Sequence, residues 1–294
     1  MLKEFVQVDA FSRRPLFGNP AAVVFDADDI PSDTMQRIAR EMNLSETVFV
    51  LEPTQAGADY RARIFTPMNE IPFAGHPTIA AAHAVRARRP KLAEKSLLRQ
   101  ECAIGVIPVE VLSGEAGTLL RMTQGAPTYG EVGLSRETIA KMLGCAETDL
   151  AQTPAQVVST GLRWLIVELA RFEAISALAP DQGLIERECR GLGAAGVTVF
   201  VERDKGPARI RVRTFAPGEG VSEDPVCGSG NGSVLAFLAR HKHAGEASGS
   251  YLAEQGIEIG RDGEVHASWL RDGESLRVMI AGAAVTVADG RLNF

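Results

Sequence analysis

Short apolar runs punctuate the first quarter of the chain. FVQVDAF (5–11), AAVVF (21–25), TVFVLE (47–52) and ARIFT (62–66) are rich in β-branched or aromatic residues with partial alternation, the pattern of strands. Between the second and third of these, SDTMQRIAREMN (32–43) opens on Ser and Asp and then spaces its apolar residues helically, which predicts a helix. Two more helices are predicted after glycine-rich turns, one through PTIAAAHAV (77–85) and one through GNGSVLAFLA (230–239). Pro77 suits the first turn of its helix, where a missing N–H costs nothing. Most of the strands are separated by turns too short for a parallel crossover. A mixed or antiparallel sheet wrapped on a helix follows.

The same pattern occurs twice. TVFVLE at 47–52 matches TVFVER at 198–203, and RARIFTP at 61–67 matches RVRTFAP at 211–217, at offsets of 151 and 150 residues. Beyond them AGH at 74–76 corresponds to CGS at 227–229, with three extra residues in the second copy. Three matches in one order at a nearly constant offset describe two similar lobes. The expected fold class is therefore α+β, with two pseudo-symmetric lobes, each a sheet around a central helix and a cleft between them. Pro127 and the Gly/Thr-rich stretch around it mark a hinge near 120–130. The expected boundaries are 1–122 for the N-terminal lobe and 123–283 for the C-terminal lobe.

Composition narrows the function classes. A hydrophobic share of 45% over 294 residues is enough for one large or two smaller cores. The net charge of −6 is spread over both signs without a Lys/Arg cluster, so neither nucleic acid nor an anionic membrane is an expected partner. No segment has signal-peptide character and no run of about 18 apolar residues occurs, so a cytoplasmic protein is expected. The four cysteines, Cys102, Cys145, Cys189 and Cys227, are far apart and form neither a disulfide framework nor a zinc ligand set. The five histidines suggest no metal site either. There is no Walker A sequence, no dinucleotide-binding GxGxxG after a first strand and no GxSxG elbow, and GSGNG resembles a phosphate loop only loosely.

The chemistry lies in the repeated turns. Each lobe presents a helix N-terminus, at FAGHPT and at VCGSGN, where backbone N–H groups and the helix dipole favour a carboxylate or phosphate. Either alone is equally an ordinary helix start; as a pair they would grip a small carboxylate-bearing substrate through Gly75 and His76 on one side and Gly228 and Ser229 on the other. Ionisable residues that differ between the copies stand out. Glu46 has Val197 as its counterpart, so the carboxylate is either specialised for proton transfer or a solvated residue opening a strand. His76 sits where an imidazolium is disfavoured, which suits a neutral hydrogen-bonding role or a capping one. Asp224 lies in the three-residue surplus, either near His76 or making a turn before Pro225. Cys227 matches Ala74, which excludes a symmetric two-thiol racemase; it is either an activated thiol at a helix N-terminus or a small buried residue.

Several stretches taken together resemble the PhzF family of phenazine-biosynthesis-like isomerases. They are VDAF and GNPAAVV within 8–24, NLSETVFV (43–50), FTPMNEIPFAGHPT (65–78), STGLRWLIV (159–167) and FAPGEGVSEDPVCGSGNGSV (215–234), with QGIEIGRDGEV and VMIAGAAVTVADGRL in the tail. The resemblance implies the two-lobed fold of diaminopimelate epimerase, with residues 284–294 completing the first lobe. It also implies a homodimer and a cofactor-free isomerisation like that of trans-2,3-dihydro-3-hydroxyanthranilate. By the same resemblance Glu46 would move the proton, while His76, Asp224 and Ser229 would bind and polarise the substrate. Many relatives carry cysteine at the position of Ala74 and threonine at that of Cys227. The near-isosteric exchange at Cys227 favours a small residue filling a helix start, with an epimerase using Glu46 and Cys227, or a non-catalytic acid-binding protein, as the competing readings.

Overall fold

The computed structural model describes residues 1–114, 117–203 and 209–294, the side chain of Arg209 excepted. Two compact units form, one from Met1–Met122 with Ala281–Phe294 and one from Thr123–Ile280. In chain order the first stretch holds β1 (Leu2–Ala10), β2 (Asn19–Val24), α1 (Ser32–Met42), β3 (Glu46–Leu51), β4 (Tyr60–Phe65), β5 (Glu70–Ile71), α2 (Gly75–Arg88), α3 (Pro90–Ala93), β6 (Leu97–Cys102), β7 (Gly105–Gly114) and β8 (Gly117–Thr123). Then come β9 (Thr128–Gly130), α4 (Arg136–Leu143), β10 (Gln156–Ser159), β11 (Arg163–Glu168), α5 (Phe172–Ala177), α6 (Gln182–Gly191), β12 (Gly196–Glu202), β13 (Arg209–Ala216) and β14 (Val221–Asp224). The chain closes with α7 (Gly228–His241), β15 (Ser248–Gln255), β16 (Gly263–Asp272), β17 (Ser275–Gly282) and β18 (Ala284–Asn293).

Within the first unit β1 pairs antiparallel with β2 and with β18. From β2 the pairings run parallel to β3, antiparallel to β4, parallel to β6 and antiparallel to β7. Within the second unit the series from β10 is the same: antiparallel to β11, parallel to β12, antiparallel to β13, parallel to β15, antiparallel to β16. The internal repeat is thus a repeat of topology. Each parallel step needs a crossover, and helices supply it: α1 joins β2 to β3, α5 and α6 join β11 to β12, α2 lies between β4 and β6, and α7 lies between β13 and β15.

The matched TVFV segments are β3 and β12, and both are buried almost throughout. A strand covered on both faces loses its alternation and reads as a continuous apolar run. One face of β3 meets α1, whose Met35, Ile38 and Ala39 join Val24, Phe49, Leu51 and Phe65 in a core. In the second unit α4 and α6 do the same for β11 and β12 through Ile139, Leu143, Ile185, Val199 and Val201. The predicted helix at 32–43 forms as α1, although its N-cap is Pro31 and not the Ser or Asp, with Asn43 closing it in the left-handed conformation.

The other face of each sheet holds the central helix. Helix α2 packs on β1, β2, β3, β6 and β18, and α7 on β10, β11, β12, β15 and β16. Both helices are 14 residues long and buried on nearly every side, which is why neither PTIAAAHAV nor SVLAFLA shows an amphipathic stripe. Among the described residues no helix is long and apolar enough to cross a membrane.

Phe237 on α7 meets Phe200 on β12 edge to face at 5.7 Å, and both rings are fully buried. Truncating the helix-borne ring would open a cavity where α7 rests on its sheet. Phe237→Ala is expected to lower unfolding free energy by about 3–5 kcal/mol in urea titrations, and Phe237→Leu by distinctly less.

Candidate functional site

In the first unit three chain segments bring Glu46, His76 and Asn19 together. Glu46 is the first residue of β3, level with Ala21 in the parallel pairing with β2. His76 is the second residue of α2, after the N-cap Ala74 and Gly75. Its Nε2 lies 2.9 Å from Glu46 Oε2, with the two side chains only 6% and 15% exposed. Asn19 opens β2 and places its Nδ2 3.2 Å from His76 Nδ1. Ala74 offers no capping side chain, and α2 begins at Gly75 and His76 beside this carboxylate–imidazole pair.

A buried hydrogen-bond chain fixes that helix start. Tyr60 donates its hydroxyl to Gln100 Oε1 at 3.1 Å, Gln100 Nε2 donates to Thr78 Oγ1 at 2.9 Å, and Thr78 Oγ1 donates to the carbonyl of Ala74 at 2.8 Å. Tyr60, Gln100 and Thr78 are all fully buried. Burial pushes the Tyr60 phenol far above its ordinary pKa, with Asp59 adding to the shift, so it stays a donor. Removing a link would strand buried polar atoms, at a cost of about 1–3 kcal/mol each.

The second unit arranges Asp224, Cys227, Gly228 and Ser229 in the same way at the start of α7. Cys227 is the N-cap, and its Sγ accepts from Gly230 N–H at 3.3 Å. Here too a buried glutamine does the anchoring. Gln255 Oε1 accepts from Cys227 N at 3.2 Å and from Asn231 Nδ2 at 2.8 Å, while its Nε2 donates to the Asp224 carbonyl at 2.9 Å. Asn231 Nδ2 also donates to the Cys227 carbonyl at 2.8 Å. Trp164 Nε1 donates to Ser229 Oγ at 3.0 Å, which orients that hydroxyl. Gln124 donates to the Gly228 carbonyl at 3.0 Å, and its amide lies so close to α7 that a Cβ on Gly232 would meet Gln124 Oε1 at 1.6 Å. That close approach explains a glycine in GSGNG without invoking a phosphate.

Sequence reasoning identified Glu46, His76, Asp224, Cys227 and Ser229 and missed Asn19, Gln100, Gln124, Gln255 and Trp164. A lone glutamine within a buried strand is the only signal these leave, and it names no partner. Among the described residues no group of three or more His, Cys, Asp or Glu side chains could hold a metal ion.

Burial, reinforced by the Asp224 carboxylate, raises the Cys227 thiol well above its usual pKa; the Ser229 and Gly230 hydrogen bonds oppose this without cancelling it. The side chain is therefore a neutral thiol at physiological pH and a weak nucleophile.

The fold is shared with proteins of known structure. A hydroxyproline epimerase from Agrobacterium vitis superposes with a TM-score of 0.63 at 14% identity, over 99% of this chain and 91% of its own. A PhzF-family protein from Bacillus anthracis superposes far more closely, with a TM-score of 0.92 at 31% identity over the whole of both chains. The class is thus an isomerase with an epimerase-like α+β fold. The profile of the phenazine biosynthesis-like proteins (PhzC-PhzF) matches residues 8–290, and the chain belongs to that family. The trans-2,3-dihydro-3-hydroxyanthranilate isomerase of Pseudomonas fluorescens is 38% identical over 296 aligned residues, which cover 99% of each chain.

Native protein is expected to resist iodoacetamide at Cys227 near pH 7.5 far more than the urea-unfolded chain, because burial and Asp224 hold the thiol protonated and burial shields it from the reagent. Peptide mapping of the alkylated protein checks this. Rapid native labelling at Cys227 would return the thiol to the list of reactive groups.

Proposed function

We propose that this isomerase moves a proton within a small carboxylated substrate, with Glu46 as the acid/base group and trans-2,3-dihydro-3-hydroxyanthranilate or a close analogue as the substrate. The observation that carries the reading is the Glu46–His76 pair at 2.9 Å beside the start of α2, in a chain that resembles a trans-2,3-dihydro-3-hydroxyanthranilate isomerase along its whole length. The glycine-rich helix starts, with backbone amides at Gly75 and His76 and at Gly228 and Ser229, suit the substrate carboxylate. His76, Asp224 and Ser229 would hold its amine or hydroxyl. Glu46 would take a proton from one ring carbon and return it to another. Such a shift is redox-neutral, so the balance closes within the substrate and needs no electron-carrying cofactor. A homodimer belongs to the same reading.

The epimerase reading places Glu46 on one face of a carbon and Cys227 on the other. It requires a thiolate, which burial and Asp224 both disfavour. A non-catalytic acid-binding protein would bind such a substrate without exchanging its hydrogens.

Glu46→Gln keeps the size of the side chain and removes its capacity to take a proton. Proton NMR in D₂O should show the wild type consuming the dihydro compound with deuterium entering the product, and the variant slowed by about 10²–10⁴-fold. An undiminished rate in the variant would sink the assignment. Exchange confined to Cα of an amino acid would favour the epimerase.

A further inference from the structure

Both ring nitrogens of His76 have a partner of fixed chemistry within the first unit. Nε2 faces the Glu46 carboxylate at 2.9 Å, and Nδ1 faces the amide nitrogen of Asn19 at 3.2 Å. A neutral imidazole has one N–H and one lone pair, whereas an amide nitrogen has donors only and a carboxylate oxygen accepts. One tautomer suits both neighbours: the lone pair on Nδ1 takes the Asn19 N–H, which leaves the proton on Nε2, 2.9 Å from Glu46 Oε2 but off the line of a hydrogen bond. The opposite tautomer would set two donors against each other at one end and two lone pairs at the other. A doubly protonated ring would still oppose Asn19, at a helix N-terminus that already disfavours the cation.

We propose that Asn19 is a positioning residue that selects the Nε2–H tautomer of His76, so that the ring carries its proton on the side that faces Glu46. The geometry stands by itself; its catalytic meaning rests on the reading of Glu46 as the proton-transfer group.

The backbone around Asn19 is built to hold it. Asn19 is fully buried and pairs with Ala10 across β1 and β2. The connection between those strands runs through left-handed conformations at Phe11 (φ 62°), Leu16 (φ 73°) and Gly18 (φ 69°). Two of these are side-chain-bearing residues in a region that L-residues avoid, and such conformations persist only where the surroundings over-determine them. Asp9 contributes by accepting the Leu16 N–H at 2.7 Å. A Cβ on Gly18 would lie 2.2 Å from the Ala10 carbonyl oxygen, so the residue just before Asn19 has to be glycine. The amide is thus delivered to Nδ1 by a rigid turn, the usual way a second residue fixes an imidazole's proton.

The test is the tautomer itself. Selective ¹⁵N labelling of the five histidines, with His76→Gln to assign the resonance, reports the protonation of each ring nitrogen. Wild-type protein near pH 7 is expected to show Nε2 protonated and Nδ1 bare. A proton on Nδ1, alone or in an imidazolium, overturns the proposal, and this arm needs no variant at Asn19. Asn19→Asp is nearly isosteric but replaces the donor with an acceptor, so Nδ1 should gain a proton. With the dihydro compound as substrate, kcat should fall at least about tenfold with KM little changed. Unchanged His76 shifts in a folded Asn19→Asp protein overturn it as well. A wild-type Nε2–H spectrum alongside a fully active Glu46→Gln enzyme would leave tautomer selection standing and remove Glu46 from the chemistry, which separates the two claims.

Discussion

A helix that starts inside a protein must find partners for its first amides and for the carbonyls just before them, because water cannot supply them. The start of α7 is in that position and that of α2 is half-buried, and neither begins with a Ser, Thr, Asp or Asn cap. Each unit meets the demand with a buried glutamine from the strand that follows its central helix, Gln100 on β6 and Gln255 on β15. These amides fix the backbone at Ala74, by way of Thr78, and at Asp224 and Cys227, while the first-turn N–H groups keep the character of an anion site. On the proposed reading, rigid anchoring on one side of the glycine turn would hold the other side in place for substrate.

Duplication of one scaffold has let its two copies divide the labour. β3 opens on Glu46, whereas the corresponding residue of β12 is Val197, fully buried. The cap is Ala74 in one copy and Cys227 in the other, and the second helix residue is His76 or Ser229. The first copy carries the carboxylate–imidazole pair, and the second carries the Ser229 hydroxyl and a Cys227 thiol that stays neutral at physiological pH. A two-thiol mechanism would need matched caps, and the caps here do not match. Thiol acidity at a helix N-terminus is often assumed; in this case burial and a nearby carboxylate outweigh the dipole.

The topology and the positions of the titrating residues were legible in the sequence to different degrees and for different reasons. The TVFV and RxRxF repeats are legible because doubly covered strands need continuous apolar runs, and the duplicated series of parallel and antiparallel pairings follows from them. Glu46 was legible because it breaks the repeat, and His76 because it sits at a glycine turn. Asn19 was not, although it lies within GNPAAVV, because its importance depends on a ring 57 residues away and on a left-handed turn before it. Gln100 and Gln255 escaped for the same reason: a polar side chain in a strand announces a partner without saying which. The start of α1 at Ser32 was legible, although the cap before it is Pro31, which supplies the extended conformation a cap requires without any capping side chain.

The last strand gives the fold an unusual timetable. β18 pairs along nearly the whole of β1, from Leu2 opposite Asn293 to Ala10 opposite Ala284. A chain emerging from the ribosome therefore has every strand of the second unit in hand before the first unit can complete its sheet. The half made first is finished last, and until residues 284–293 emerge the outer edge of β1 waits as an open template. Loop closure from β1 to β18 makes this the pairing of highest contact order among those described, and the slowest kind to find by search. The Asn19 turn hangs from that same strand, so this part of the first unit rests on a scaffold completed only after the second unit has been made.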